Sequence, residues 1–224
     1  MEYTPDFSVV WNNFGLFLQG VFLTLRLALI SIGFGLILGI LGALARTSGN
    51  KIANAIAVAY VEFIRNTPFI IQLFFFYFGL PSLGLRLTAE QSAILALAIN
   101  FGAYSTEIVR AGIEGIRKGQ IEAGMALGLT KLKIFRHVLL VPALGNIYPA
   151  LVSQIVIAIL FTSVVSQVST EELMFVGSYL QSRTFRSFEI YLTIAFLYLG
   201  MVWFVKLLAL MIQKKFFNFM RYIR

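Results

Sequence analysis

Glu122 sits on a polar island in an otherwise apolar chain: Gly119-Gln120-Ile121-Glu122-Ala123-Gly124-Met125-Ala126-Leu127-Gly128-Leu129-Thr130, then Lys131, Lys133, Arg136 and His137, closing at Val141-Pro142. The chemistry open to these residues is ionic contact rather than bond-making. His137 is the only histidine and there is no cysteine, so no ligand set for a metal can be assembled and no metal is expected. Asp6 is the only aspartate, which rules out a buried Asp pair, and nothing completes a Ser-His pair. A Ser-Lys pair using Lys206 is a formal option that no other feature supports. No Gly-x4-Gly-Lys-(Ser/Thr) loop is present to hold nucleotide phosphates, and no cofactor is implied.

Two further sets could take part in function. Gln72, Asn100, Tyr104, Gln154, Thr162, Ser163 and Ser166 are polar groups within apolar runs. As a set they offer the donors and acceptors a zwitterion needs, although each alone more often bonds one span to another. Glu62 with Arg65, and Glu107 with Arg110, are i,i+3 pairs. They read first as ion pairs bracing helix ends and second as a gate.

The elements that must position these groups follow from composition. A chain of 224 residues that is 59% hydrophobic and 12% charged, with a mean hydropathy of +0.86, is an integral membrane protein. Its net charge of +8 is of the sign that nucleic acid attracts, but topology accounts for it and no nucleic-acid partner is expected. The first residues carry Glu2 and Asp6 rather than a basic n-region, so no cleavable signal is expected.

Met1 to Asn13 reads as a short polar tail. An apolar run from about Phe14 to Ala45 is long enough for a tilted span. Gly35, Gly39 and Ala43 repeat a small residue every fourth position on it, which lets another helix approach closely. Arg26, near its outer end, can snorkel. Ile52 to Leu80 is too long for one straight crossing and should bend at Thr67-Pro68, where proline removes a backbone donor. A third span is expected from about Ala89 to Arg110, a fourth from Ala143 to Val165 and a fifth from Phe188 to Ile212. Between the last two, Ser169-Thr170-Glu171-Glu172 reads as a capping box that opens a short surface helix towards Leu180. On the island, good helix formers from Glu122 to Leu127 and a stop at Gly128 predict a short helix, a turn and a second helix ending before Pro142.

Arg46 and Lys51, the island's Arg117, Lys118, Lys131, Lys133 and Arg136, and the C-terminal Lys214, Lys215, Arg221 and Arg224 fall on one side of the membrane, against Arg86, Arg183 and Arg186 on the other. The positive-inside rule then places the N-terminus outside, and the C-terminus and the island in the cytoplasm.

The island resembles the cytoplasmic EAA loop of membrane subunits of binding-protein-dependent ABC importers, mapped onto Glu122, Ala123, Gly124, Gly128, Val138 and Pro142. Gly124 replaces the commoner second Ala, and one extra residue separates Gly128 from Pro142. Val61 to Pro68, Gln72 to Pro81 and Gly102 to Ile113 resemble permease subunits for polar amino acids, of the histidine/glutamine/arginine type, and the likeness runs from about Gly20 to Ile212. In the fourth span, Ser153 and Leu160-Phe161 stand where many relatives have an Asn and a Lys-Asp pair.

The resemblance implies an all-α membrane protein of about five spans with the ABC importer permease (MetI-like) fold. It would be one permease domain over residues 1–224, with a coupling loop at 117–142 that docks through Gln120, Glu122, Ala123, Gly124, Gly128 and Pro142. Implied partners are an ABC ATPase dimer that hydrolyses ATP, a second permease subunit (the same chain or a sister), an extracytoplasmic amino-acid-binding protein, the lipid membrane and an amino-acid substrate. The subunit itself would not be an enzyme, and it would lie in the bacterial inner membrane. Two alternatives stand beside this reading: a merely solvated basic loop at the island, and an ion-coupled secondary transporter. The second usually shows ionisable groups at the midplane and paired repeats, which five spans do not provide.

Overall fold

The computed structural model describes residues 4–116, 118–130, 133–134 and 140–216. The helices named for them are α1 (Ser8–Asn12), α2 (Phe14–Thr47), α3 (Lys51–Arg65), α4 (Phe69–Phe74), α5 (Ala89–Glu114), α6 (Lys118–Ala126), α7 (Val141–Val165), α8 (Leu173–Thr184) and α9 (Ser187–Phe216). Helices α2, α5, α7 and α9 are long and apolar enough to cross a membrane, and Lys51–Arg65 with Phe69–Leu83 passes the same test together, as a broken fifth span or a re-entrant loop. At 34 residues, α2 is about 51 Å long, well beyond the roughly 30 Å hydrocarbon core.

The break falls where proline dictates it. Lys51–Arg65 and Phe69–Leu83 are bent by 107°, with Pro68 as the N-cap of α4. Proline has no N–H to donate to the carbonyl four residues back, which would leave the Ile64 oxygen without its helical partner. The Gln72 amide takes over that bond, donating to Ile64 O at 2.7 Å, Thr67 O at 3.1 Å and Thr67 Oγ1 at 2.9 Å. The Asn100 amide on α5 in turn donates to Gln72 Oε1 at 3.1 Å. The bend is thereby tied to the central helix.

Close packing against α5 rests on the small-residue face of α2. A methyl added at Gly39 would stand 2.6 Å from Ser105 Cβ, and one at Gly35 would stand 2.8 Å from the Ala98 carbonyl. Without a hydrophobic drive between helices in lipid, such contact is what holds them together. Tyr60 on α3 adds a bond to Ile99 O at 2.7 Å. Two apolar clusters complete the core. One joins Val10, Phe17, Leu173, Leu180 and Ile190 across α1, α2, α8 and α9; the other joins Leu27, Phe69, Leu73, Leu97 and Val165 across α2, α4, α5 and α7.

Three expectations are corrected. The N-terminal tail is not merely polar: it forms α1, which buries Val10. The capping box at Ser169 does not form. Ser169 takes a left-handed φ of 59° and Glu172 caps α8 instead, accepting from Phe175 N–H at 2.8 Å. Nor does α8 lie on the surface, because Leu173, Gly177 and Leu180 are buried. Their i,i+4,i+7 spacing is the helical period of a core-facing stripe.

Candidate functional site

Helix α6 ends in a complete Schellman turn. Leu129 N–H donates to Gly124 O at 3.1 Å and Gly128 N–H to Met125 O at 2.9 Å, with Gly128 at φ 68°. A Cβ-bearing residue would be strained at that angle. Gly124 is buried, and a methyl there would lie 3.2 Å from the side chain of Ile134, itself buried. The small residue thus lets the chain fold back under α6. Gln120, Glu122 and Ala123 are exposed, and so are Met125 and Leu127, the latter at 79%. Glu122 is thus bordered by large exposed apolar side chains. Pro142 lies in the first turn of α7, where its missing N–H costs nothing. Arg117, Lys131, Arg136, His137 and Val138, with most of the expected second island helix, lie outside the described residues.

Just before α6 the last turns of α5 carry a charge cluster. Glu107 pairs with Arg46 of α2 at 3.0 Å and with Arg110 at 2.7 Å, and Arg110 reaches Glu114 at 2.5 Å. The Glu107–Arg110 pair forms as the spacing predicts. The Glu62–Arg65 pair does not: Glu62 accepts from the Asn66 amide at 2.9 Å, and Arg65 lies over the Tyr104 ring, 5.2 Å from its centroid. The break at Pro68 ends α3 there, so Asn66 folds back over Glu62 and Arg65 turns to α5.

The scattered polar set does not converge on one cavity. Gln72 and Asn100 are buried and committed to the helix break. Thr162 is buried and bonds Ile159 O, while Ser163 and Ser166 bond carbonyls three residues back. Gln154 is buried on α7, and Tyr104 is half-buried beneath Arg65.

The sequence reading missed the fully buried Glu172 and Glu189. Glu172 Oε2 accepts from Tyr198 OH at 2.6 Å and from Thr24 Oγ1 at 3.4 Å, and Leu173 N–H donates to Thr24 Oγ1 at 3.2 Å. One carboxylate therefore ties α2, α8 and α9 together. Glu189 Oε1 accepts from Asp6 N–H at 2.7 Å and stands 3.6 Å from Arg186. The stripe of Leu173, Gly177 and Leu180 was the signal that could have placed Glu172 inward. At the N-terminal tail, hydrogen bonds from Ser8 hold the Asp6 carboxyl below the usual carboxylate range, and nearby Arg186 adds to that.

The sequence and the fold both have counterparts among known proteins. The family model described as "Binding-protein-dependent transport system inner membrane component" matches residues 31–218. The chain is 37% identical over 196 residues to the glutamine transport system permease protein GlnP of Escherichia coli (strain K12), covering 87% of this chain and 90% of that protein. It is 34% identical over 192 residues to the probable glutamine ABC transporter permease protein GlnM of Bacillus subtilis (strain 168), covering 86% and 89%. Among solved structures, a chain of an amino acid ABC transporter with histidines superposes with a TM-score of 0.87 at 34% identity, covering 95% of this chain and all of that one. A chain of the inward-facing MetNI methionine ABC transporter gives 0.71 at 25% identity, covering 90% and 96%.

Proposed function

Because the chain belongs to the family of binding-protein-dependent transport system inner membrane components, we propose that it carries glutamine or a similarly neutral, polar amino acid inward. It is a multi-pass inner-membrane permease subunit of an ATP-driven amino-acid uptake system, a transport component rather than an enzyme. The ion-coupled secondary transporter is set aside with that assignment.

The observation that carries the coupling reading is the exposed face of α6, where Glu122 stands among Met125 and Leu127. Its acid would meet a base on one subunit of an ATPase dimer while the apolar groups fill a groove. Gln120, Ala123, Gly124, Gly128 and Pro142 shape that knob within a loop at 117–142 of a single 1–224 permease domain. Closure of the ATPases on nucleotide would drag α6 and, through α5, the Glu107 cluster. Glu62 and Arg65, with Glu107 and Arg110, would brace or gate the path there, Arg65 lying over the Tyr104 ring. In this reading α6 faces the cytoplasm, a second permease subunit (this chain or a sister) completes the path, and an extracytoplasmic binding protein delivers substrate.

Relatives named for glutamine support the substrate class, and so does the charge arrangement. In the spans Glu107 is matched by Arg46 and Arg110, Glu90 pairs with Arg26, and Glu172 is sealed inside the bundle. Apart from Glu62, exposed at the end of α3 and bonded to the Asn66 amide, a cationic side chain in the path would find no spare countercharge among the described span residues, and an unpaired charge at low dielectric is expensive. Uptake competition in cells expressing the whole system tests this. Glutamine and other neutral amino acids should inhibit; strong inhibition by arginine and lysine alone overturns it. Orientation has a separate test, since the chain has no native cysteine. Cysteines at Ser8, Ser82 and Ser182 should react with an impermeant maleimide in intact cells and those at Thr47 and Lys131 should not; labelling at Lys131 sinks the cytoplasmic placement of α6.

A further inference from the structure

Helix α2 has two unlike faces, and only one of them meets protein. Gly35 and Gly39 press on α5, whereas Phe14, Leu18, Phe22, Leu29 and Ile37 point away from the bundle, Leu29 at 74% exposure. That outward row continues upwards onto α1 as Trp11, 72% exposed, whose ring lies 6.1 Å from that of Phe14. Two glycines on this side, Gly15 and Gly33, are open but too far apart to make the every-fourth-residue seam on which spans close. Large apolar side chains without such a seam are what a helix turns towards acyl chains.

Helix α1 does not hang free at the head of this row. Val10 is buried in the cluster with Ile190 and Ile194 of α9. Arg186 donates to Thr4 O at 3.0 Å, Asp6 N–H donates to Glu189 Oε1 at 2.7 Å, and the Asn13 amide donates to Val9 O at 2.8 Å. The clamp sets Trp11 at the end of the membrane-crossing row. Its membrane side follows from the Arg46–Glu107 pair, which puts the C-terminal ends of α2 and α5 together, and α6 with them. The start of α2 is therefore at the opposite end.

We infer that this face of α2 stands in lipid and that α1 is an interfacial anchor. It holds the Trp11 indole at the headgroup boundary of the leaflet opposite α6. An indole, apolar in body and with one N–H to satisfy, is favoured at that boundary. The occupant is phospholipid, not a second copy of the chain, because the row offers side chains too bulky for close helix approach. Phe22 lies about 12 Å deeper than Phe14 along α2 and should stand among the acyl tails.

The test uses the full chain reconstituted in phosphatidylcholine vesicles. Trp203 is the only other tryptophan, so Trp203→Phe leaves Trp11 as sole reporter. Lipids brominated near the carbonyl end of their chains should remove most of its emission, and lipids brominated near the methyl ends should remove less. In Trp11→Phe/Trp203→Phe/Phe22→Trp the order should reverse. Trp11 emission quenched by aqueous iodide and indifferent to brominated lipid would overturn the anchor. Emission indifferent to both would put protein, such as a second copy, over the face, and stronger quenching of Trp11 by the deeper bromines would place it away from the boundary; either refutes the inference.

Discussion

The two ends of the bundle handle charge in opposite ways. At the α6 end, Glu107, Arg46, Arg110 and Glu114 form a chain of ion pairs whose side chains are 18–53% exposed. At the other end, Glu172 is fully buried and accepts only from hydroxyls and a main-chain amide, with no cation paired to it among the described residues. Pairs near water are worth about 0–1 kcal/mol and can be exchanged. A buried acceptor surrounded by donors cannot be, because each orphaned partner costs about 1–3 kcal/mol. The α6 end is thus built for rearrangement, and the α8 end is built as the fixed hub on which the spans are assembled.

The largest effect is expected at the adjustable end, where α6 is proposed to dock on the ATPase. Glu122→Lys reverses the charge of an exposed residue that makes no side-chain hydrogen bond or ion pair among the described residues. The protein should insert at normal levels while uptake and ATPase copurification are lost. Normal uptake by well-expressed Glu122→Lys would break the assignment of the α6 end as the coupling end.

Next in size is the contrast between the carboxylates themselves. Glu172→Ala strands Tyr198, Thr24 and the Phe175 N–H, and should cost about 3 kcal/mol or more on the per-group figure. Glu107→Ala leaves two arginines that still reach water, 18% and 26% exposed, with Arg110 keeping Glu114, and should cost less, about 1 kcal/mol. Thermal unfolding of the purified complex in detergent checks this, and equal losses at the two sites would erase the distinction between the hub and the α6 end.

How much of this was legible in the sequence depends on how local each cause is. The break at Pro68 needs only the missing N–H, and the α2–α5 seam needs only small residues every fourth position; both were readable. Gln72 was not, because the carbonyl it satisfies lies eight residues back and becomes available only once the chain has bent. Glu172 was misplaced since Ser169 to Glu172 is locally polar, and burial is decided by Thr24 and Tyr198, distant in sequence. The α6 face was found through resemblance rather than periodicity, because one acid among small residues has no period to detect. The bonds of Thr162, Ser163 and Ser166 were not specified in the sequence reading either, and they follow one rule: hydroxyls in spans first satisfy nearby carbonyls.

A smaller effect sharpens the contrast at Gly128. Its φ of 68° costs a residue with a Cβ roughly 1–2 kcal/mol, a strain local to the turn after α6. Gly128→Val should therefore lower uptake several-fold by misaiming α6, with the melting temperature of the purified complex little changed. A large fall in melting temperature would mean that the α6 turn is part of the hub after all.

The smallest effect belongs to Asp6, the exposed acid in the clamp at the hub end. Hydrogen bonds from Ser8, and then Arg186, hold its carboxyl below the ordinary value. A group depressed in the folded state contributes stability above its unfolded pKa and loses it as pH falls through the folded one. Acidification below the ordinary aspartate value of 3.8 should thus loosen α1 slightly, and Asp6→Asn should remove that pH dependence. Because Asp6 is exposed, solvent screens it and the change should be small beside that at Glu172. Hydrogen exchange of residues 4–13 in the full chain, followed across acid pH, reads it directly. If wild type and Asp6→Asn lose protection identically, the clamp is carried by Glu189 and Val10 alone, and the hub end owes its stability to its buried groups.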